Sequence, residues 1–179
     1  MLLDRSDEIC NEVTLETGDI VLRRGKGVVS HWFASMSQKD PYFSHAGIVL
    51  KINGQVKVVS CRQDYSPSGL VAEKLADFLS LHVTEGYAIY RYPLSSDEKN
   101  GIDSLLQSDL NHPMPFDAAF ELDSDSAYYC TEYIASRMNF VHPGLITESM
   151  GKGWKYIAPD DLYCNAAGRF IINKRILQL

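Results

Sequence analysis

The sequence predicts an α+β fold, because apolar strand patterns gather in the first half of the chain and amphipathic helical patterns in the second. The clearest strand, "SHAGIVLKI", is followed by Asn53-Gly54, a pair typical of a two-residue hairpin turn, and then by "QVKVVSC". The chain has 179 residues, 45% of them hydrophobic, which is ordinary for one packed domain. We therefore predict a single domain over residues 1–179, with its core at about 17–177.

The first half of the chain reads as strands joined by turns and one short helix. A strand over residues 20–23 ends in a Gly-rich turn, and residues 28–38 carry apolar side chains at helical spacing. After the hairpin, residues 70–80 fit either a helix or a strand followed by a helix. A further strand covers residues 85–93, where Pro93 ends it.

The second half is dominated by helical patterns. Residues 95–110 begin with a serine and an acidic turn, the signature of a capped helix. Residues 123–140 are acidic at the front and amphipathic behind, and the side chains of residues 123–126 offer several N-caps. A turn with a short helix over residues 156–165 precedes a final strand at 169–177.

Composition argues against several partners. The net charge is −6 and the pI about 5.3, which disfavours nucleic acid or an anionic membrane as the main partner. No run approaches the roughly 18 apolar residues of a membrane span. The N-terminus lacks the pattern of a secretory signal, so we expect a cytoplasmic protein or export by a signal-independent secretion system. The four cysteines form no C-x-x-C pair, and we predict neither a metal nor another cofactor.

Cys130 is the candidate nucleophile. It lies near the front of the 123–140 helix, where the positive end of the helix dipole lowers the pKa of a thiol and favours the reactive thiolate. The alternative is that Cys130 is a small buried hydrophobic residue, which is the commoner role of a free cysteine.

His45 is the candidate general base. It stands at the first position of a strand that is otherwise apolar, and a strand end holds a side chain more rigidly than a loop does. Among the other histidines, His31 on the first helix is the serious competitor. Together Cys130 and His45 make a Cys–His arrangement in which the imidazole takes the thiol proton and later returns it to the leaving group.

Five segments occur in a recognisable order: "TGDIVLRR", "FSHAGIVL", "YAIYRY", "PFDAAFELDSDSAYYCTEYI" and "IAPDDLY". From residue 17 to about 165 the chain resembles the circularly permuted branch of the NlpC-type papain-like cysteine peptidases, the YiiX/YebB-like proteins. "SHAGIV" and "YCTEY" are the specific part of the likeness. The resemblance implies a permuted papain-like fold, in which an antiparallel sheet packs against the cysteine-bearing helix. It implies that Cys130 is the nucleophile and His45 the base. Three further pairs match positions that look structural: Gly18-Asp19, Phe116-Asp117 and Pro159-Asp160.

The residue that orients the histidine is where this chain departs from the family. The family usually has a glutamate on the next strand, and here Ser60 stands in its place. Serine is shorter and uncharged, so it stabilises an imidazolium less well. The hairpin register places Arg62 about level with His45, and Ser60 two residues further along the same strand and on the same face. We therefore predict that Ser60 reaches the ring of His45 directly or through one water. Gln63 or Asp64 from the following loop is the alternative.

The predicted function is that of a cysteine hydrolase that cleaves an amide through a thioester acyl-enzyme. The resemblance points to a peptidoglycan-type peptide as the substrate, and related proteins also handle acyl chains, so an acyl-chain hydrolase or transferase is an alternative. The second alternative, from another class, is a non-catalytic binding module with a degenerate triad, as Ser60 would suggest.

Overall fold

The computed structural model describes residues 5–122, 126–151 and 153–176. The helices in this part of the chain are α1 (Arg5–Glu12), α2 (Val28–Ser35), α3 (Leu75–Phe78), α4 (Ser96–Leu110), α5 (Cys130–Val141) and a 3₁₀ turn (Pro159–Leu162). The strands are β1 (Ile20–Gly25), β2 (His45–Ile52), β3 (Gln55–Arg62), β4 (Gly69–Lys74), β5 (Thr84–Arg91), β6 (Ser149–Met150), β7 (Lys155–Tyr156) and β8 (Arg169–Lys174).

Six of the strands form one antiparallel sheet in the order β4-β3-β2-β1-β5-β8. The predicted antiparallel sheet is confirmed, and the two longest helices, α4 and α5, follow its first five strands as expected, whereas α1, α2 and α3 lie in the first half of the chain. The β2–β3 hairpin has the predicted register, with Ile48 opposite Val59. Asn53 and Gly54 both have positive φ angles, of 51° and 79°, as this tight turn requires.

Two hydrophobic cores cover the two faces of the sheet. On one face α4 and α5 pack on the sheet, and β2 contributes Ala46, Ile48 and Leu50 to that core. On the other face α1 and α3 pack, and β2 contributes Val49. Because side chains alternate along a strand, His45 lies on the α3 face together with Val49. The predicted packing of the cysteine-bearing helix against the sheet is confirmed.

Several element boundaries differ from those predicted. The helix expected from residue 123 begins at Cys130, and residues 123–125 lie outside the described residues. Its N-cap is Tyr129, whose N–H donates to Glu132 Oε2 at 3.2 Å, so the cap comes from inside the helix and not from the acidic run. The ambiguous segment 70–80 is a strand followed by a helix, β4 and α3. The sequence patterns did not predict α1 or the short β6–β7 hairpin.

Three aspartates that the resemblance marks as structural are all buried and hold backbone together. Asp19 pairs with Arg91 of β5, with Oδ1 2.7 Å from Nε, and so ties the start of β1 to the next strand. Asp117 accepts hydrogen bonds from the backbone N–H groups of residues 119 and 121, and closes the loop before α5. Asp160 accepts the N–H of Lys39 at 2.6 Å and anchors the loop before β2.

Candidate active site

A cavity of about 600 Å³ opens at the end of the sheet where β2 and β3 separate. The pairing of these strands begins only at Ile48 and Val59, so the first residues of β2 and the last residues of β3 have no partner across this gap. The first residue of α5 meets the same cavity. Its lining includes both predicted catalytic residues, Cys130 and His45.

Cys130 is the first residue of α5, closer to the helix start than the predicted helix over 123–140 would place it, and its electrostatics differ from the expectation. The thiol is buried, with 2% of the residue exposed. Burial raises the pKa of the Cys130 thiol to about 11, although the backbone N–H groups of Ala46, Thr131 and Cys130 itself act in the opposite direction. The helix terminus therefore does favour the thiolate, but loss of hydration outweighs it. The resting residue is a protonated thiol.

His45 is held by ring stacking on the α3 face. Its ring lies 5.4 Å from that of Phe78, measured between centroids, with 26° between the two planes. Burial lowers the pKa of His45 well below its usual value, and the nearby cations Arg23 and Arg62 lower it further. Asp64 acts in the opposite direction. At neutral pH the imidazole is uncharged and able to accept a proton.

The thiol and the imidazole reach the cavity from opposite faces of the sheet. Cys130 belongs to the core under α5, whereas His45 packs on Phe78 in the region of α3. In the described part of the chain no hydrogen bond joins the two side chains, and His45 Nε2 is buried without a partner.

Ser60 and Asp64 differ in how they relate to His45. Ser60 is fully buried on β3, on the predicted face, but its hydroxyl has no hydrogen-bond partner among the described residues. The direct bond predicted from Ser60 to His45 is thus not formed. Asp64 and Gln63 line the cavity, and the carboxylate of Asp64 raises the pKa of His45. Of the two alternatives, the loop residue Asp64 is the anionic group that favours the imidazolium.

Arg62 fixes the position of Asp64. Its Nε and Nη2 bind the two oxygens of Asp64 at 2.8 and 2.5 Å, while Nη1 binds Glu73 Oε1 at 2.7 Å. A guanidinium fork of this kind holds a carboxylate in a defined plane. The pKa of Asp64 falls to about 2, first because of this hydrogen bond with Arg62, so Asp64 is ionised at any working pH.

Arg23 is the site residue that sequence reasoning missed. It lies on β1 directly opposite His45 and lines the cavity, and only 8% of it is exposed. The signal was present in the sequence, because Arg23 continues a strand pattern that is apolar at each preceding position, "IVL". A charged residue that continues a buried strand needs a structural or functional reason.

Of the other histidines, His31 lies apart from the thiol. Its Nε2 is 2.8 Å from Arg24 Nη2, and it is not part of the cavity lining that the structure describes. The competitor considered from sequence therefore contacts Arg24 and does not share the described lining of the cavity with Cys130. His82 does line the cavity, at an exposed position.

No family model matches the chain, and no curated protein matches it in sequence. In three dimensions the chain is similar to a solved structure, that of the metalloprotein yiiX from Escherichia coli O157:H7, assigned to DUF1105, with a TM-score of 0.73. The two chains are 15% identical, and the match covers 89% of this chain and 97% of that one. Likeness at this identity shows that the fold is shared, in agreement with the YiiX-like motif order.

A metal site does not follow from that likeness. Among residues 5–122, 126–151 and 153–176 there is no group of three or more His, Cys, Asp or Glu side chains placed to hold an ion. The donor set does not fit a metal, and the chemistry considered below uses none. Within the same residues, no helix has the length and apolar content needed to cross a bilayer.

Proposed function

We propose that this protein is a cysteine hydrolase of the permuted papain-like type, which cleaves an amide through a thioester. The observation that carries the proposal is the meeting of Cys130, at the first position of α5, and His45, at the first position of β2, in one cavity. A nucleophile at a helix start and a base at a strand start are both held rigidly. The YiiX-like fold supports the same assignment.

In the proposed reaction His45 acts as a general base at the moment of attack. The sulfur of Cys130 bonds to the carbonyl carbon of the substrate while the thiol proton moves to the imidazole. The carbon–nitrogen bond then breaks, and the amine leaves with the proton from His45. Water, deprotonated by His45, hydrolyses the thioester and regenerates the thiol. In this reaction the backbone N–H of Cys130 contributes to the oxyanion hole.

The substrate class follows from the family resemblance and from the cavity. A peptidoglycan-type peptide is the first substrate to test, with an acyl amide or ester as the alternative. Apolar side chains of Val29, Phe33 and Phe116 share the cavity lining with the charged residues, so an acyl chain also has a surface to contact. Turnover of both substrate types should be measured.

Cys130→Ala tests the nucleophile directly. We expect turnover to fall by at least about 10³-fold, the scale seen when a covalent nucleophile is removed. Cys61→Ala is the matched control, because Cys61 is also buried and lines the same cavity. Cys61→Ala should retain activity within about threefold, consistent with a small core substitution. Equal losses in both variants would contradict the proposed role of Cys130.

A second candidate function is a non-catalytic binding module. It is favoured by the resting protonation, since burial raises the pKa of Cys130 to about 11 and lowers that of His45. A binding module would bind a peptidoglycan fragment or acyl amide without turnover. Mass spectrometry after incubation with substrate separates the two, because only the hydrolase accumulates a thioester on Cys130.

A further inference from the structure

Three cationic side chains line the cavity, and they differ in how their charges are balanced. Arg62 is bound by two carboxylates, those of Asp64 and Glu73. Lys26 lies exposed at the rim and donates from Nζ to the carbonyl of Leu81 at 2.7 Å. Arg23 makes no ion pair with a carboxylate among the described residues either, and unlike Lys26 it is buried; Glu73 and Asp64 act on its charge only from a distance.

The contacts of Arg23 leave half of its guanidinium without an acceptor. Nη1 donates to the carbonyl oxygen of Phe78 at 2.6 Å, and the group lies 4.7 Å above the Phe78 ring. Nε is buried and has no hydrogen-bond partner among the described residues. The hydrogen bond that the guanidinium makes within those residues comes from Nη1, which leaves Nη2 free of a described acceptor. Burial and neighbouring Arg62 lower the pKa of Arg23 to about 10, so the side chain is still charged at neutral pH.

A buried charge of this kind is costly unless an anion accompanies it. Structural arginines usually have that anion in the protein, as Arg62 does with Asp64 and Glu73. Arg23 instead lines an open cavity beside the predicted base. The acceptor that the buried Nε lacks is therefore expected from a ligand that enters the cavity.

We propose that Arg23 binds a carboxylate of the substrate through the Nε–Nη2 edge of its guanidinium. Two parallel N–H donors on one edge match the two oxygens of a carboxylate. Arg23 and His45 are opposite one another on adjacent strands, whose Cα atoms lie about 5 Å apart in such pairs. The carboxylate therefore lies within about one residue of the bond that is cleaved. The substrate class is an acidic acyl compound, and this part of the proposal rests on the proposed function.

A single carboxylate fits the charge balance better than a phosphate does. A phosphate carries close to two negative charges at neutral pH, and Arg23 supplies one positive charge at the buried end of the cavity. Arg62 does not supply the second, because Asp64 and Glu73 occupy its Nε, Nη1 and Nη2 and leave that group of three side chains with one surplus negative charge. The same edge of Arg23 would otherwise accept either anion, so the experiment includes both.

The test is a binding measurement with a matched pair of small ligands, N-acetylglycine and N-acetylglycinamide, which differ only in the carboxylate. NMR titration of the intact protein gives the affinity and reports the Nε–H signal of Arg23. We expect N-acetylglycine to bind with a Kd on the order of 1 mM and to shift that signal, and the amide to bind at least about tenfold more weakly. Inorganic phosphate at equal ionic strength should not displace N-acetylglycine.

Arg23→Gln should abolish the preference for the acid, whereas Lys26→Gln, which removes one charge at the rim, should preserve it within about twofold. Arg23→Lys keeps the positive charge but removes the two parallel N–H donors of the guanidinium, so it should weaken the binding of N-acetylglycine several-fold. This variant replaces Arg23→Gln in the test if Arg23→Gln does not fold. Equal binding of acid and amide, no binding of the acid up to about 50 mM, or displacement by phosphate would overturn the carboxylate assignment. Failure of the hydrolase proposal is seen separately, as acid binding without loss of turnover in Cys130→Ala.

Discussion

The two faces of the sheet make different contributions to the cavity at its end. The α5 face supplies Cys130 from a dense apolar core, and burial there keeps the thiol protonated. The α3 face supplies His45, stacked on Phe78 among the cations Arg23 and Arg62, and that environment keeps the imidazole neutral. Each environment suppresses the charged form of its own residue. This site therefore holds an uncharged pair at rest and not a preformed thiolate–imidazolium pair.

Removal of the α3-face contribution should have the largest effect. His45→Ala should lower kcat/KM by about 10²- to 10⁴-fold, because no other described side chain at this strand end replaces the general base. The control is His82→Ala, since His82 lines the same cavity at an exposed position and should tolerate the change. Steady-state assays on a peptidoglycan-derived peptide measure both. If His82→Ala has the greater effect, the base has been assigned to the wrong face.

The reactivity of the free thiols should follow burial and not helix position. With a pKa of about 11, roughly one Cys130 thiol in a thousand is ionised at pH 8. Cys10 is exposed, so iodoacetamide should label it at least about tenfold faster than Cys130. This reverses the order expected from the helix terminus alone. Peptide mapping after timed alkylation measures the order.

A faster reaction at Cys130 than at Cys10 would show that the thiol and imidazole do form an ion pair. In that case His45→Ala should remove the excess reactivity. The control is Cys61, for which burial raises the thiol pKa above its usual value and which should label slowly in both proteins.

The orienting role should belong to Asp64 and not to Ser60. Asp64→Asn should reduce kcat/KM about tenfold, because it removes the carboxylate that favours the charged imidazolium formed during attack. Ser60→Ala should change activity by less than about twofold, because its hydroxyl has no partner in the described structure. Its free energy of unfolding should stay the same or rise by up to about 1 kcal/mol, since a buried unpaired hydroxyl is removed. The reverse ranking of the two variants in kcat/KM would restore Ser60 as the orienting residue.

The value of kcat/KM should depend only weakly on pH around neutrality. The reactive form needs a neutral His45, and because the pKa of His45 is lowered below 6.5, this form predominates from about pH 6.5 upwards. The thiol loses its proton only near its pKa of about 11. We expect kcat/KM to be constant between about pH 6.5 and 9. A bell-shaped profile with a fall above about pH 8 would indicate a charged imidazolium in the active form, and would contradict the neutral pair.

Local pattern predicted most of the fold. Alternation and the Asn53-Gly54 pair located the β2–β3 hairpin and its register, because both depend on neighbouring residues alone. The start of α5 was misplaced by seven residues, since an acidic run resembles a capped first turn whether or not the chain is helical there. The short helix α1 was not predicted, and it owes its place to tertiary packing: Ile9 is buried against the α3 face.

The sequence located the two candidate residues at the starts of their elements, and the tertiary structure decided their electrostatics. Cys130 at a helix start and His45 at a strand start are local features, and each is legible from the residues beside it. The pKa of each depends on what lies within a few ångströms in space, and those neighbours come from other elements. Phe78 and Arg62 reach His45 from α3 and β3, and Arg23 from β1. Desolvation and charge act through space, so only the folded chain determines that the resting pair is neutral and that Arg23 Nε has no hydrogen-bond partner among the described residues.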